Sequence, residues 1–235
     1  MRILVPGGMD MKRKLLVLVL ILSLLAVPAR AQDGEKLIAL TFDDGPSGRF
    51  TRRLLEGLEE RDAKATFFLC GYRMEQMPGL AEEIADAGHE IGLHGYSHDS
   101  MAEMSVETLR KELDDTAQLL GWYPTILRPP GGASGEALRQ VSAERDLAII
   151  HWSVDPKDWA TSDTDEIVRR VVEQAGDGDV ILMHDMSDSS VDAALEIIDE
   201  LSAQGFRFVT VSELAKYRGV GLMGGKEYTC FAPGK

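Results

Sequence analysis

From residue 36 onward the chain alternates between two hydrophobic rhythms. Short apolar runs such as KLIALTF at 36–42 and ATFFLC at 65–70 are separated by longer stretches in which apolar residues recur every three or four positions. The first rhythm suits strands buried on both faces and the second suits amphipathic helices. Strands are predicted at Ile38–Phe42, Ala65–Cys70, His89–Leu93, Ile126–Leu127, Leu147–Val154, Val180–Met183 and Phe206–Val211. Helices are predicted at Phe50–Arg61, Gly79–Ala87, 106–120, Gly135–Glu144, Asp165–Ala175 and Val191–Gln204. Ser105 is placed to cap the third helix and Gly121 to stop it. Such alternation requires parallel strands with helical crossovers, in an open doubly wound sheet or a barrel.

The first 31 residues follow neither rhythm. Lys12, Arg13 and Lys14 precede an apolar run from Leu15 to Leu22 that resumes after Ser23 as far as Val27, and the segment closes on Ala29-Arg30-Ala31. A basic start, an apolar core and a small-x-small ending mark a secretory signal peptide, with cleavage expected after Ala31 and translation starting at Met1 or Met11. An uncut leader would leave a membrane anchor as the alternative, so a secreted or extracytoplasmic location is expected either way. Residues 32–235 then form one domain, since no low-complexity linker or internal repeat divides them.

The whole chain carries a formal charge of −14 from 25 basic and 39 acidic residues. Five basic and one acidic residue belong to the leader, so the remainder holds 20 against 38, a charge of −18. That surface repels nucleic acid and anionic lipid. The two cysteines, Cys70 and Cys230, lie in the exported part, where pairing is permitted but is not dictated by spacing.

The polar residues that break the apolar runs gather at the C-terminal ends of the predicted strands: Asp43 and Asp44, His94 and His98, Arg128, Asp155 and Asp158, and His184. In a parallel barrel those ends share one rim. Asp43 and Asp44 are adjacent, and neighbouring strand residues point to opposite faces. They can serve one site only where the strand geometry breaks, and Gly45-Pro46 supplies a break. Alone, DDGP also fits a turn capped by two solvated acids. HGYSH spaces His94 and His98 by four, which on one helical turn lets both imidazoles grip one cation. With Asp44 they make three ligands and leave a position for water, the pattern of a catalytic zinc rather than a structural one. Cys70, at another strand, is not expected to be a fourth ligand. His89 and His151 are read as structural.

TFDDGPS at 41–47, HGYSH at 94–98, RPPGG at 128–132, DPKDW at 155–159 and LMH at 182–184 stand in the order of the five signature segments of the polysaccharide deacetylases, carbohydrate esterase family four, and the chain resembles that family over about residues 36–217. The resemblance implies a distorted, incomplete (β/α) barrel and a hydrolase acting on non-peptide C–N bonds, with N-acetylated polysaccharides of the peptidoglycan or chitin type as substrates. It implies a divalent metal, zinc first, with cobalt, nickel or manganese as alternatives, held by Asp44, His94 and His98. By matching position Asp43 is the general base, His184 the acid for the leaving amine, and Arg128 the residue that holds the base, itself oriented by Asp158. The Gly131 backbone N–H is the oxyanion donor, and Trp159 and Leu182 wall the acetyl pocket. Two departures stand out. Gly95 replaces the hydroxyl residue usual after the first histidine, and Gly131 occupies a position commonly aromatic. The same machinery would also suit O-acetyl groups of a xylan-like polymer. A carbohydrate-binding pseudoenzyme would have no use for the base and acid kept at Asp43 and His184.

Overall fold

The structure, a computed structural model, describes residues 35–233. The expected leader lies outside the described residues. Those residues hold eight strands: β1 Lys36–Gly45, β2 Ala65–Leu69, β3 Glu90–Leu93, β4 Ile126–Leu127, β5 Ala148–Ile150, β6 Val180–His184, β7 Phe206–Phe208 and β8 Glu227–Tyr228. They are joined by helices α1 Arg49–Glu60, α2 Gly71–Gln76, α3 Leu80–Asp86, α4 Val106–Leu120, α5 Glu136–Glu144, α6 Thr164–Val172, α7 Asp188–Ala203 and α8 Val211–Tyr217. The strands pair in the order β6-β1-β2-β3-β4-β5-β8, with β7 beside the start of β1, and every ladder between them is parallel. This curled sheet with helices around it is the distorted, incomplete (β/α) barrel that the sequence implies, in a single domain. Among the described residues no helix is long and apolar enough to cross a membrane.

Strand periodicity divides the core in two. Ile38, Leu40 and Phe42 of β1 pack outward with Leu54, Leu58, Ile197 and other helix residues. Leu37 and Ala39 point the other way, into a cluster with Phe68, Ile126, Ala148, Ile150 and Val180. Burial on both faces explains why these strands read as continuous apolar runs. Continued along each strand, the two-residue period of the inward-facing positions places Asp43, His94, Arg128 and His184 on the inner row at the C-terminal rim.

The element ends differ from the sequence reading where side chains take over backbone groups. α4 begins after Ser105, whose hydroxyl accepts from Thr108 N–H, and ends at Gly121 with φ 75°, as expected. α7 begins three residues early, because Ser187 accepts from Ser190 N–H and caps it there. β5 stops at Ile150 instead of reaching Val154, since the carbonyls of Ile150 and His151 accept from the Arg128 guanidinium. The chain rejoins the sheet at Val154, which bridges to Ile181. α2, α8 and β8 have no counterpart among the predicted elements, and Val211, read as the end of the last strand, instead opens α8. Cys70 and Cys230 are both free, so the pairing that the sequence permits does not form.

Candidate active site

Asp43 and Asp44 are brought to one side by a bulge. The register of β1 on β2 runs Asp43↔Phe68 and then Gly45↔Leu69, so Asp44 is the extra residue, and its φ is 68°. A bulge re-aims one side chain while leaving the ladder on either side intact. The break is therefore at Asp44 itself, one residue before Gly45-Pro46. Asp43 continues the inner row and Asp44 turns beside it.

His94 continues β3, with its N–H donating to Leu69 O at 2.9 Å, and its ring is buried. His94 Nδ1 lies 2.7 Å from Arg128 O. A carbonyl only accepts, so Nδ1 carries the proton and Nε2 presents its lone pair to the site. That Nε2 is 3.2 Å from Asp44 Oδ1. His98 Nε2 is 2.8 Å from the same oxygen, and its side chain is 41% exposed. The two histidines do not share a helical turn, as their spacing suggests. Residues 94–100 form a loop bent by left-handed backbone at Gly95, φ 80°, and His98, φ 67°. The left-handed φ of Gly95 favours glycine over the hydroxyl residue that the signature segment usually has there.

Among the described residues, Asp44, His94 and His98 form a group whose ligand atoms all lie within 4.8 Å of one another. Asp44 Oδ1 is buried between two imidazole nitrogens and makes no hydrogen bond. A buried carboxylate oxygen in that state is costly unless a cation sits on it. Two imidazoles and one carboxylate are also a donor set that suits zinc and its neighbours in the first transition row. The residues present therefore fit a divalent metal. Burial alone raises the Asp44 carboxyl, and the contacts and charges of His94 and His98 more than reverse this, holding it well below the usual carboxylate range. Cys70 is not part of the group. Burial, reinforced by Asp44 and Asp43, pushes its thiol up, which keeps it protonated.

Arg128, the residue that follows β4, is fully buried and continues its inner row. Its Nη1 donates to Asp43 Oδ1 and Thr41 Oγ1, both at 2.7 Å, its Nε to Ile150 O and its Nη2 to His151 O. The guanidinium also stacks on Phe68, 4.2 Å from the ring centroid, and Gly92 makes room for that ring, since a Cβ there would meet it at 2.6 Å. Thr41 is a member of the site that the motifs alone do not single out. It stands two before Asp43 on the inner row, so the strand period is the signal that finds it. It donates to Ile181 O at 2.6 Å and ties β1 to β6 beneath the site.

Asp158 does not orient Arg128. It lies in the short turn Asp158–Ala160, where Oδ1 is 2.8 Å from His184 Nδ1 and Oδ2 accepts from His184 N–H at 2.9 Å. Arg128 is already satisfied by other acceptors, whereas Asp158 is the anchor of the His184 ring. The ring's Nε2 faces the site, 4.0 Å from Asp44 Oδ2. Burial lowers the His184 imidazole, but Asp158, followed by the charges of Asp43 and Asp44, raises it to about 9. It is the protonated, acidic form that stands over the site at neutral pH.

Asp44, Asp158, Trp159, Thr161, His184 and Met186 line an open cavity of about 510 Å³. Trp159 is 66% exposed at its edge. Leu182 pairs with Thr41 one layer below His184 and is buried there, outside the lining of that cavity. Gly131, φ 63°, is the middle of the turn Pro130–Gly132 that follows Arg128. His89 is structural: its Nδ1 accepts from Ala65 N–H, and burial lowers it to about 4, so it stays neutral.

A protein-family model described as polysaccharide deacetylase matches residues 30–150. The chain belongs to that family. The peptidoglycan-N-acetylmuramic acid deacetylase PdaC of Bacillus subtilis is 40% identical over 188 residues, which cover 78% of this chain and 40% of that protein. The peptidoglycan-N-acetylglucosamine deacetylase of Bacillus cereus is 39% identical over 194 residues, covering 79% of this chain and 91% of its relative. Of solved structures, a family 4 acetyl xylan esterase from Clostridium thermocellum in complex with a cobalt ion superposes with a TM-score of 0.77 at 32% identity, covering 83% of this chain and 98% of that one. The family's chemistry is deacetylation, so this polysaccharide deacetylase is a hydrolase.

One further acid shapes the rim. Asp185, the first residue after β6, is fully buried and is held by the hydroxyl of Thr51 on α1, which also accepts from Ser47 N–H at 2.7 Å. Burial pushes its carboxyl up to about 7, against the pull of Thr51. The unfolded carboxyl titrates near 3.9. Between those values the folded chain holds a proton that the unfolded chain has released, so this group makes stability fall as pH rises from about 4 to 7. Asp185→Asn is expected to remove a slope approaching about 1.4 kcal/mol per pH unit in that window. Urea unfolding of both proteins in chelator between pH 4.5 and 7.5 checks this, and parallel curves would exclude a buried, proton-holding Asp185.

Proposed function

We propose that this chain is a secreted, metal-dependent N-deacetylase that hydrolyses acetamido groups of a cell-wall amino sugar polymer of the peptidoglycan type. The observation that carries the reading is the bulge at Asp44, which sets one carboxylate between two imidazoles and leaves its neighbour, Asp43, beside them on Arg128. The relatives' names support the substrate class, and the apolar leader supports export.

Asp44, His94 and His98 would hold the cation, zinc before cobalt, nickel or manganese. When bound it supplies Lewis acidity, making a water more acidic and an acetyl carbonyl more electrophilic. Asp43, fixed by Arg128, takes a proton from the attacking water as its oxygen bonds to the acetyl carbon. The Gly131 N–H donates to the oxygen that becomes negative. His184, kept protonated and aligned by Asp158, gives its proton to the sugar nitrogen as the C–N bond breaks, because an amide nitrogen leaves badly as an anion. Acetate and a free amine result. Trp159 offers an exposed aromatic face beside the cavity for a sugar ring or the acetyl group. Leu182 supports this from the layer below.

The likeness to an acetyl xylan esterase gives a second reading, in which the same residues cleave O-acetyl esters. Acetate release from N-acetylglucosamine oligomers, peptidoglycan and acetylxylan, each with chelator and with added zinc or cobalt, tests both. Metal-dependent release from the first two at tenfold or more the rate from xylan is expected. Release from xylan alone would transfer the assignment to the ester.

A further inference from the structure

The chain after Tyr217 lies beyond the span of the five signature segments, yet it is built into the barrel. Among the described residues β5 and β6 do not pair with each other, and the chain that follows β5 meets β6 at the Val154–Ile181 bridge. β8 pairs with β5, Ile149↔Glu227 and Ile150↔Tyr228, and Cys230 then bridges to Asp179 at the foot of β6. Gly224 and Gly225 let this segment press against α5 and the turn after it: a Cβ on Gly225 would meet Arg139 O at 2.7 Å, and one on Gly224 would meet Asp146 Cα at 2.8 Å.

This docking aims Glu227 at the rim. Its Oε1 accepts from Ser134 Oγ at 2.8 Å and Arg139 Nη1 at 2.9 Å, and its Oε2 lies 3.0 Å from His151 Nε2. The donors stand on three separate pieces. Ser134 follows the turn that carries Gly131, Arg139 is on α5, and His151 directly follows β5 and gives its carbonyl to Arg128. The turn needs outside support. Gly131 and Gly132 both have left-handed backbone, φ 63° and 71°, and no neighbour among the described residues would meet a Cβ on Gly131 within 4 Å. Glycines in such a turn are free to move unless their flanks are held. On one flank His94 Nδ1–H donates to Arg128 O, and on the other Ser134 is bonded to Glu227.

We propose that Glu227, delivered by the C-terminal strand, is a positioning residue for deacetylation, holding the Gly131 turn and the His151 carbonyl that anchors Arg128. The proposal rests on the roles given above to Gly131 and Arg128. An exposed ion pair with Arg139 alone would do little. Three donors on one carboxylate, each from a different piece of the chain, constrain the relative placement of those pieces.

Glu227→Ala is expected to lower kcat/KM about tenfold on N-acetylglucosamine oligomers well below its unfolding temperature, with bound zinc per chain unchanged. Amide hydrogen exchange in a peptide spanning residues 129–134 should quicken at least tenfold. Ser134→Ala should reproduce part of both effects and add little to them in the double variant, as expected for two members of one clamp. Unchanged exchange in Glu227→Ala overturns the clamp. Faster exchange with unchanged kcat/KM overturns its link to catalysis. Should the wild-type chain release no acetate from any glycan, the functional reading fails by itself, and exchange still decides whether Glu227 holds the turn.

Discussion

Asp43→Asn is expected to lower kcat by about 10²–10⁴-fold, the range for removal of a general base, while one metal ion per chain is retained. Asparagine is isosteric and keeps an oxygen for Arg128 Nη1, which donates to Asp43 Oδ1 at 2.7 Å. What it lacks is a site for the proton that water must lose. The alternative cause of inactivity is structural, because Arg128 is fully buried with Asp43 as its counter-charge. Stripping a buried ion of its partner costs about 3–5 kcal/mol. Thr41 Oγ1, Ile150 O and His151 O still accept from the guanidinium, so the loss should fall below that range. Near-ultraviolet circular dichroism and zinc content of the variant separate the two causes. A folded, zinc-loaded Asp43→Asn that turns over like the wild type would remove Asp43 from the chemistry.

Much of this arrangement is legible in the amino-acid sequence, for a simple reason. Strands buried on both faces declare themselves as apolar runs, and their two-residue period, extended past the last apolar residue, points Asp43, His94, Arg128 and His184 to one rim. The remainder depends on backbone events that leave no mark in composition. The left-handed turn of Asp44 is one. Another is the loop from His94 to His98: a spacing of four fits a helix, but Gly95 and His98 bring the two rings together with positive φ instead. Matching positions aim Asp158 at Arg128, yet a guanidinium lodged against two carbonyls, a threonine and Asp43 has no need of it, and His184 does. Those same carbonyls are why β5 is short. Glu227 is out of reach for a different reason. Its partners lie 76 to 93 residues away, and nothing in the local pattern of KEYTC names them.

The second large effect concerns the cation. Replacing His94 and His98 together by alanine is expected to take bound zinc from one per chain to none and to abolish acetate release, with no recovery on adding metal, whereas wild type stripped by chelator should recover. Asp44 is the cause. Its Oδ1 lies 3.2 and 2.8 Å from the two Nε2 atoms and has no hydrogen bond, so its charge is tolerable only while positive or coordinating partners face it. Without the imidazoles of His94 and His98, Asp44 and Asp43 confront each other with Arg128 and, at 4.0 Å, His184 to offset them, and the Asp44 carboxyl should move up from its depressed position. One carboxylate cannot hold a divalent ion that was held by three ligands. A ligand that binds only the folded chain stabilises it by about 4 kcal/mol at a thousandfold excess over its dissociation constant. Zinc should therefore raise the unfolding temperature of the wild type and leave that of the double variant where it was. Of the two single variants, His94→Ala should be the more damaging, since that ring is buried and fixed by Arg128 O, while His98 is 41% exposed on a loop. Stoichiometric zinc in the double variant, or equal thermal shifts in both proteins, would place the metal elsewhere and dissolve the assignment of Asp43 along with it.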